Sequence, residues 1–242
     1  MALVNADVKS LEVVVAAELS GDKVLSQEII DKVDIHEVNR DRFKLGEDKP
    51  GRLIAKIFKF RLIYGGSAYS YAHDSDFQGV SSSEKFWQGV IDEYYSKYRG
   101  VQQWHKELVL TAQRDGRLVI PSGRHFPIEP DYNKREPWPL TIIKNYPVQG
   151  FGADLVMLAR LEANKRLKAS GLEHKLISTI HDSIVADAPD YCAKDVGKIL
   201  YDSIEYVPTL CKQVFGYNFK LPLTSEVQIG PNKKVMVEGK FT

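Results

Sequence analysis

Two aspartates in this chain stand where a carboxylate could hold a cation. Asp7 closes a short apolar run, residues 3–8, just before a helical pattern begins at Ser10. Asp182 lies in a polar His181-Asp182-Ser183 break between two β-branched runs, residues 176–180 and 184–186. That pattern is a tight hairpin with a carboxylate at its tip. Taken alone, an aspartate in a turn is most often a turn former that caps its own backbone, and Asp7 and Glu12 would be ordinary surface charges. A third stretch changes the reading. Arg52, Lys56, Phe60 and Tyr64 recur at four-residue spacing and the pattern stops at Gly65-Gly66, as a helix ending on glycine does. Paired carboxylates, cations that grip phosphate and rings that stack on a base are the parts that nucleotidyl transfer needs.

These side chains need elements to position them. At about 100° per residue, Ile54, Ala55, Phe58, Leu62 and Ile63 share one side of the 52–65 helix, the side for a core. Arg52, Lys56 and Lys59 gather on the other, extended by Phe60 and Tyr64. The helix belongs to a basic block: residues 40–61 hold eight Lys or Arg against three acids, a local balance of +5 in a chain whose net charge is only +1. Such a block suits contacts to phosphate. The alternative is a solvated charged face.

Other elements follow in order. Residues 26–33 read as a short helix. Ser83 reads as the N-cap of a helix carrying Phe86, Trp87, Val90, Ile91, Tyr94, Tyr95 and Tyr98, aromatics at core spacing. A second helix spans 101–112 after Gly100. Residues 117–120 and 125–128 form a hairpin around Pro121-Ser-Gly123. Asn145 and Gln149 precede a helix over 153–169 and either cap it or reach base edges in a minor groove. A helix over 195–206 and a strand over 221–232 close the chain.

With 242 residues, 43% hydrophobic and 27% charged, the chain has the makings of a globular core. Cys192 and Cys211 have no metal-ligand spacing and read as reduced thiols. No apolar run reaches the roughly 18 residues of a membrane span, and the first residues do not open a signal peptide. The expectation is a soluble, cytoplasmic protein of a bacterial or phage-infected cell, with no membrane partner.

In these residues the chain resembles the palm and fingers of family A DNA polymerases, the bacterial DNA polymerase I type. Asp7-Val-Lys-Ser-Leu-Glu12 looks like motif A. Arg52, Lys56, Phe60 and Tyr64-Gly65 match motif B at each defining position, and His181-Asp182-Ser183 looks like motif C. Asp34-Ile-His36, Tyr98-Arg-Gly100-Val101, Gly116, Gly123-Arg124, Asn145-Tyr-Pro147-Val-Gln149-Gly150 and Glu226-Val resemble family segments in the same order. The resemblance runs nearly end to end. It departs at Ser183, where the family usually has Glu, and at Thr141, where it commonly has Arg.

The resemblance implies an α+β fold: an antiparallel palm sheet with packed helices, a mostly helical fingers subdomain, and no thumb. Palm would occupy residues 1–33 and 115–242, with fingers over 34–114. Asp7 and Asp182 would hold two Mg²⁺ ions, for which Mn²⁺ could substitute, about 3.5–4 Å apart. Lys56 would protonate the leaving pyrophosphate. Arg52, Lys56 and His36 would hold the β- and γ-phosphates, and Phe60 and Tyr64 the base and sugar. Glu12 would exclude a 2′-hydroxyl, and Phe60, rather than Tyr, would disfavour dideoxynucleotides. Asn145, Gln149, His181 and Arg124 would touch DNA. Primer-template DNA and dNTPs are the implied ligands. Because only six residues precede Asp7, the implied partner is a second polypeptide carrying a thumb and an exonuclease, unless the chain is a fragment. A viral origin fits a split replicase. Two other classes compete. A non-catalytic template-primer binding subunit fits Ser183 but needs neither aspartate, and a metal-dependent nuclease uses paired carboxylates but needs no Arg-Lys-Phe-Tyr helix.

Overall fold

The computed structural model describes residues 1–43, 45 and 48–239, without the side chains of residues 48–50, 52 and 60. The chain forms two compact units. One gathers residues 1–11, 121–123 and 150–242, the other residues 12–120 and 124–149.

The first unit is built on β1 (Ala2–Val8), the centre of a five-stranded antiparallel sheet. Its alternation is strict: Ala2, Val4, Ala6 and Val8 are buried, whereas Leu3, Asn5 and Asp7 are half-buried on the opposite face. One neighbour of β1 is β5 (Ser183–Ala188), which pairs onward with β4 (Lys175–Ile180). The other is β6 (Ser225–Asn232), which pairs with β7 (Val235–Gly239). Helix α9 (Ala193–Glu205) lies against β1, β5 and β6. Its buried stripe Val196, Leu200 and Ile204 covers the sheet's apolar side. Cys192 and Cys211 are buried and in no disulfide, Cys211 on α10 (Val207–Phe215).

The second unit is helical, with α1 (Leu11–Ser20), α2 (Lys23–Ile30), α3 (Ile35–Phe43), α4 (Asp48–Ile63), α5 (Ala68–Ala72), α6 (Glu84–Lys97) and α7 (Arg99–Asp115). Ser83 caps α6 as expected, its Oγ accepting from Phe86 N–H at 3.3 Å. The aromatics of α6 are core: Trp87, Tyr94 and Tyr98 are fully buried. Phe58 of α4 meets this cluster, stacked on Trp87 with centroids 5.8 Å apart and 4.9 Å from the Tyr71 ring. The Gly65-Gly66 stop has two separate causes. Gly65 holds φ +85°, and a Cβ on Gly66 would fall 2.3 Å from Tyr71 Oη. A smaller core joins Ala112 of α7, Leu118 of β2 (Arg117–Val119), Ile128 beyond β3 (His125–Pro127), and Ile143.

Three sequence expectations need correction. The helix expected over 153–169 is α8 (Leu140–Ser170), which contains Pro147, so Asn145 and Gln149 lie inside it and cap nothing. Tertiary packing of Ile143 and Val148 outweighs the backbone hydrogen bond that proline forfeits. Lys59, expected beside Lys56 on an open face, is buried with 1% of its surface exposed. Finally, α10 and β7 escaped the sequence reading, which ran 221–232 as the closing strand.

Candidate active site

Asp7 is the last residue but one of β1, directly paired with Ser183 of β5 on one side and Glu226 of β6 on the other. Asp182 stands one residue before that pair, in the two-residue turn between β4 and β5. The turn's first residue, His181, takes a left-handed φ of 54°, the requirement of primed hairpin turns. The Val8 amide donates to the Asp182 carbonyl at 3.0 Å, which ties the turn to the end of β1. Both carboxylates therefore sit at the same end of two neighbouring strands. The fold alone brings together residues 175 positions apart in sequence.

Ser183 is buried, and its Oγ donates to the Ile180 carbonyl at 3.0 Å. The hydroxyl closes its own hairpin rather than standing in for a carboxylate. Two aspartates offer hard oxygen ligands of the kind Mg²⁺ takes, and that ion keeps several positions for water and phosphate. Among the described residues no three His, Cys, Asp or Glu side chains form a group that could hold a metal ion. The carboxylates fit Mg²⁺ on donor chemistry and number.

In the helical unit, Lys56 is exposed and Tyr64 half-buried on and just beyond α4. The side chains of Arg52 and Phe60 lie outside the described residues. His36 is buried at the second position of α3, its N–H bonded to Asp34 Oδ1 at 3.1 Å. Glu12 is half-buried in the first turn of α1, where a helix N-terminus favours a carboxylate. Arg124 is exposed beyond β2, its carbonyl accepting from Ile120. Asn145 is half-buried on α8, and the exposed Gln149 donates its side-chain amide to Tyr64 Oη. Two residues singled out independently in sequence thus touch.

A polar network behind α4 went unread. Lys97 pairs with Glu28 at 2.8 Å, Tyr98 Oη donates to Glu28 at 2.7 Å, and both approach Asn39 Oδ1 at 3.3 Å. Near it, burial drives the Lys59 ammonium down to about 7, with Glu28 and Asp34 opposing the shift. No spacing rule marks these residues, because they come from separate elements.

The model of DNA polymerase family A matches residues 1–234, and the chain belongs to that family. It is 26% identical to DNA polymerase I of Chloroflexus aurantiacus, over 95% of this chain and 24% of that protein. It is 29% identical to DNA polymerase I of Aquifex aeolicus (84% and 35%) and 27% identical to the DNA polymerase of Mycobacterium phage D29 (84% and 32%). The chain therefore spans between a quarter and about a third of these curated relatives. Its fold is like that of the POL domain of Pol1 from M. smegmatis, solved in complex with DNA primer-template and dNTP. That likeness has a TM-score of 0.80 at 21% identity and covers 96% of this chain and 40% of that one. Among the described residues no helix is long and apolar enough to cross a membrane.

Proposed function

We propose that this chain carries the palm and fingers chemistry of template-directed DNA synthesis, transferring dNTPs to a primer 3′-hydroxyl. The observation that supports it best is the placement of Asp7 and Asp182 at one end of adjoining strands. Palm on this reading is residues 1–33 and 115–242, which hold the five-stranded sheet, and fingers are residues 34–114, which hold α4. Asp7 and Asp182 hold Mg²⁺. When bound, Mg²⁺ lowers the pKa of the 3′-hydroxyl and neutralises charge on the departing pyrophosphate. Lys56, exposed on α4, supplies a cation and a proton to the pyrophosphate oxygens, with Arg52 and His36 as further phosphate partners. Tyr64 and Phe60 form the base and sugar pocket, and Glu12 excludes a ribose 2′-hydroxyl. Asn145, Gln149, His181 and Arg124 contact primer-template DNA, the ligand held by the solved Pol1 domain. A thumb-bearing polypeptide is the proposed partner.

Primer extension with Mg²⁺ and four dNTPs tests the proposal, with the thumb-bearing chain supplied if the single chain is silent. Asp182→Ala should lower extension by roughly 10³-fold, the worth of several kcal/mol of lost charge stabilisation. Equal extension by both proteins refutes the assignment. Primer-template binding with no extension under either condition favours a non-catalytic binding subunit, the reading that Ser183 in place of a third carboxylate supports.

A further inference from the structure

The strand register puts an acid where the motif C sequence lacks one. In an antiparallel sheet, directly opposed side chains share a face, with Cβ atoms roughly 4.5–5.5 Å apart. Asp7 has two such neighbours, Ser183 and Glu226. The row across the sheet end therefore runs Ser183, Asp7, Glu226, with the serine and the glutamate flanking the central aspartate. The Ser183 hydroxyl is spent on the Ile180 carbonyl. Glu226 is half-buried on the open face, and one of its oxygens accepts from Gln228 Nε2 at 2.8 Å. That amide comes from the next position on the same face, opposite Asn5, and leaves the second oxygen of Glu226 for another donor.

We infer that Glu226 is the auxiliary carboxylate of the cation site, supplying from β6 the negative charge that Ser183 does not supply from β5. It acts as a positioning residue through water on the bound ion. A longer side chain than aspartate suits that role, since β6 lies on the far side of β1 from Asp182. The inference rests on Asp7 and Asp182 as the cation ligands.

Its test is Mn²⁺ binding to the full chain, followed by the electron paramagnetic resonance of the free ion, with no nucleotide present. Glu226→Gln should weaken Mn²⁺ binding roughly tenfold, the usual loss when a group supporting the ligands is removed. Adding Ser183→Glu to that variant should restore most of the affinity, because a carboxylate is returned beside Asp7 from the other strand. If Glu226→Gln binds like wild type while Asp182→Ala does not bind, the role of Glu226 is wrong and the underlying site stands. A loss that Ser183→Glu does not repair also overturns it, since the effect is then not one of charge beside Asp7. Wild type and Asp182→Ala with the same affinity would overturn both.

Discussion

At the scale of one side chain, the proposed role of Glu12 makes a sharp prediction. This residue occupies the first turn of α1 and is half-buried. If it lies beneath the incoming sugar, Glu12→Ala should raise the use of ribonucleotides relative to deoxynucleotides by about 10- to 100-fold, the range one steric contact commands. Competitive primer extension measures that ratio, and an unchanged ratio removes Glu12 from the pocket. At this scale the sequence was legible where an acid interrupts an apolar β pattern, as Asp7 and Asp182 do. It was not legible at Lys59. Helical periodicity describes one cylinder, and Lys59 falls on the same side of it as Arg52 and Lys56. Only the neighbouring elements decide that this position is covered, and their acids Glu28 and Asp34 are remote in sequence.

Elements meet closely where α7 begins. Asp22 caps α2 through the Leu25 amide at 2.8 Å, and its second oxygen accepts from the Gly100 amide at 2.7 Å and from Val101 at 3.3 Å. A Cβ on Gly100 would stand 2.7 Å from the Asp22 Cα, backbone that cannot yield cheaply. Gly100→Ala should therefore cost about 2–3 kcal/mol, combining overpacking with a strained charge-assisted hydrogen bond. A urea-denaturation midpoint equal to that of wild type would show that the contact relaxes. In the sequence this glycine looked like an interruption between two helices, and the structure shows a contact point instead. The same limit applied to α8. Pro147 and the polar residues around it signalled a boundary, yet Ile143, Val148 and Phe151 are all buried along one uninterrupted helix. Strand β1 fared better, because its period-two alternation is plain in the sequence.

Protonation couples the stability of the folded chain to pH. The Lys59 ammonium, driven by burial from 10.5 to about 7, is neutral in the native state at pH values where the unfolded chain keeps it charged. Between about pH 7 and 10.5 the unfolded state binds more protons, so stability rises with pH through that window. Below about pH 7 the penalty is complete and constant. Burial pushes His105 down to about 3, so acid costs further stability as pH falls below 6.5. Burial pushes the hydroxyls of Tyr71, Tyr94 and Tyr98 up, and their ionisation on unfolding takes stability away above about pH 10. The melting temperature should therefore climb from pH 7 to a maximum near about pH 9–10. Lys59→Met, close in volume and without charge, should melt higher at pH 7 and flatten the climb. Identical pH profiles for the two proteins would show that Lys59 keeps its charge when folded.

If Tyr64 meets the nucleotide and Gln149 the duplex as proposed, the bond from Gln149 to Tyr64 means that the resting protein occupies part of its own binding surface. A guest that uses both side chains must first evict each from the other, so recognition there is an exchange rather than an addition. One internal hydrogen bond is worth only about 1 kcal/mol net, a toll small enough for a correct duplex to meet and large enough to discourage a loosely seated one.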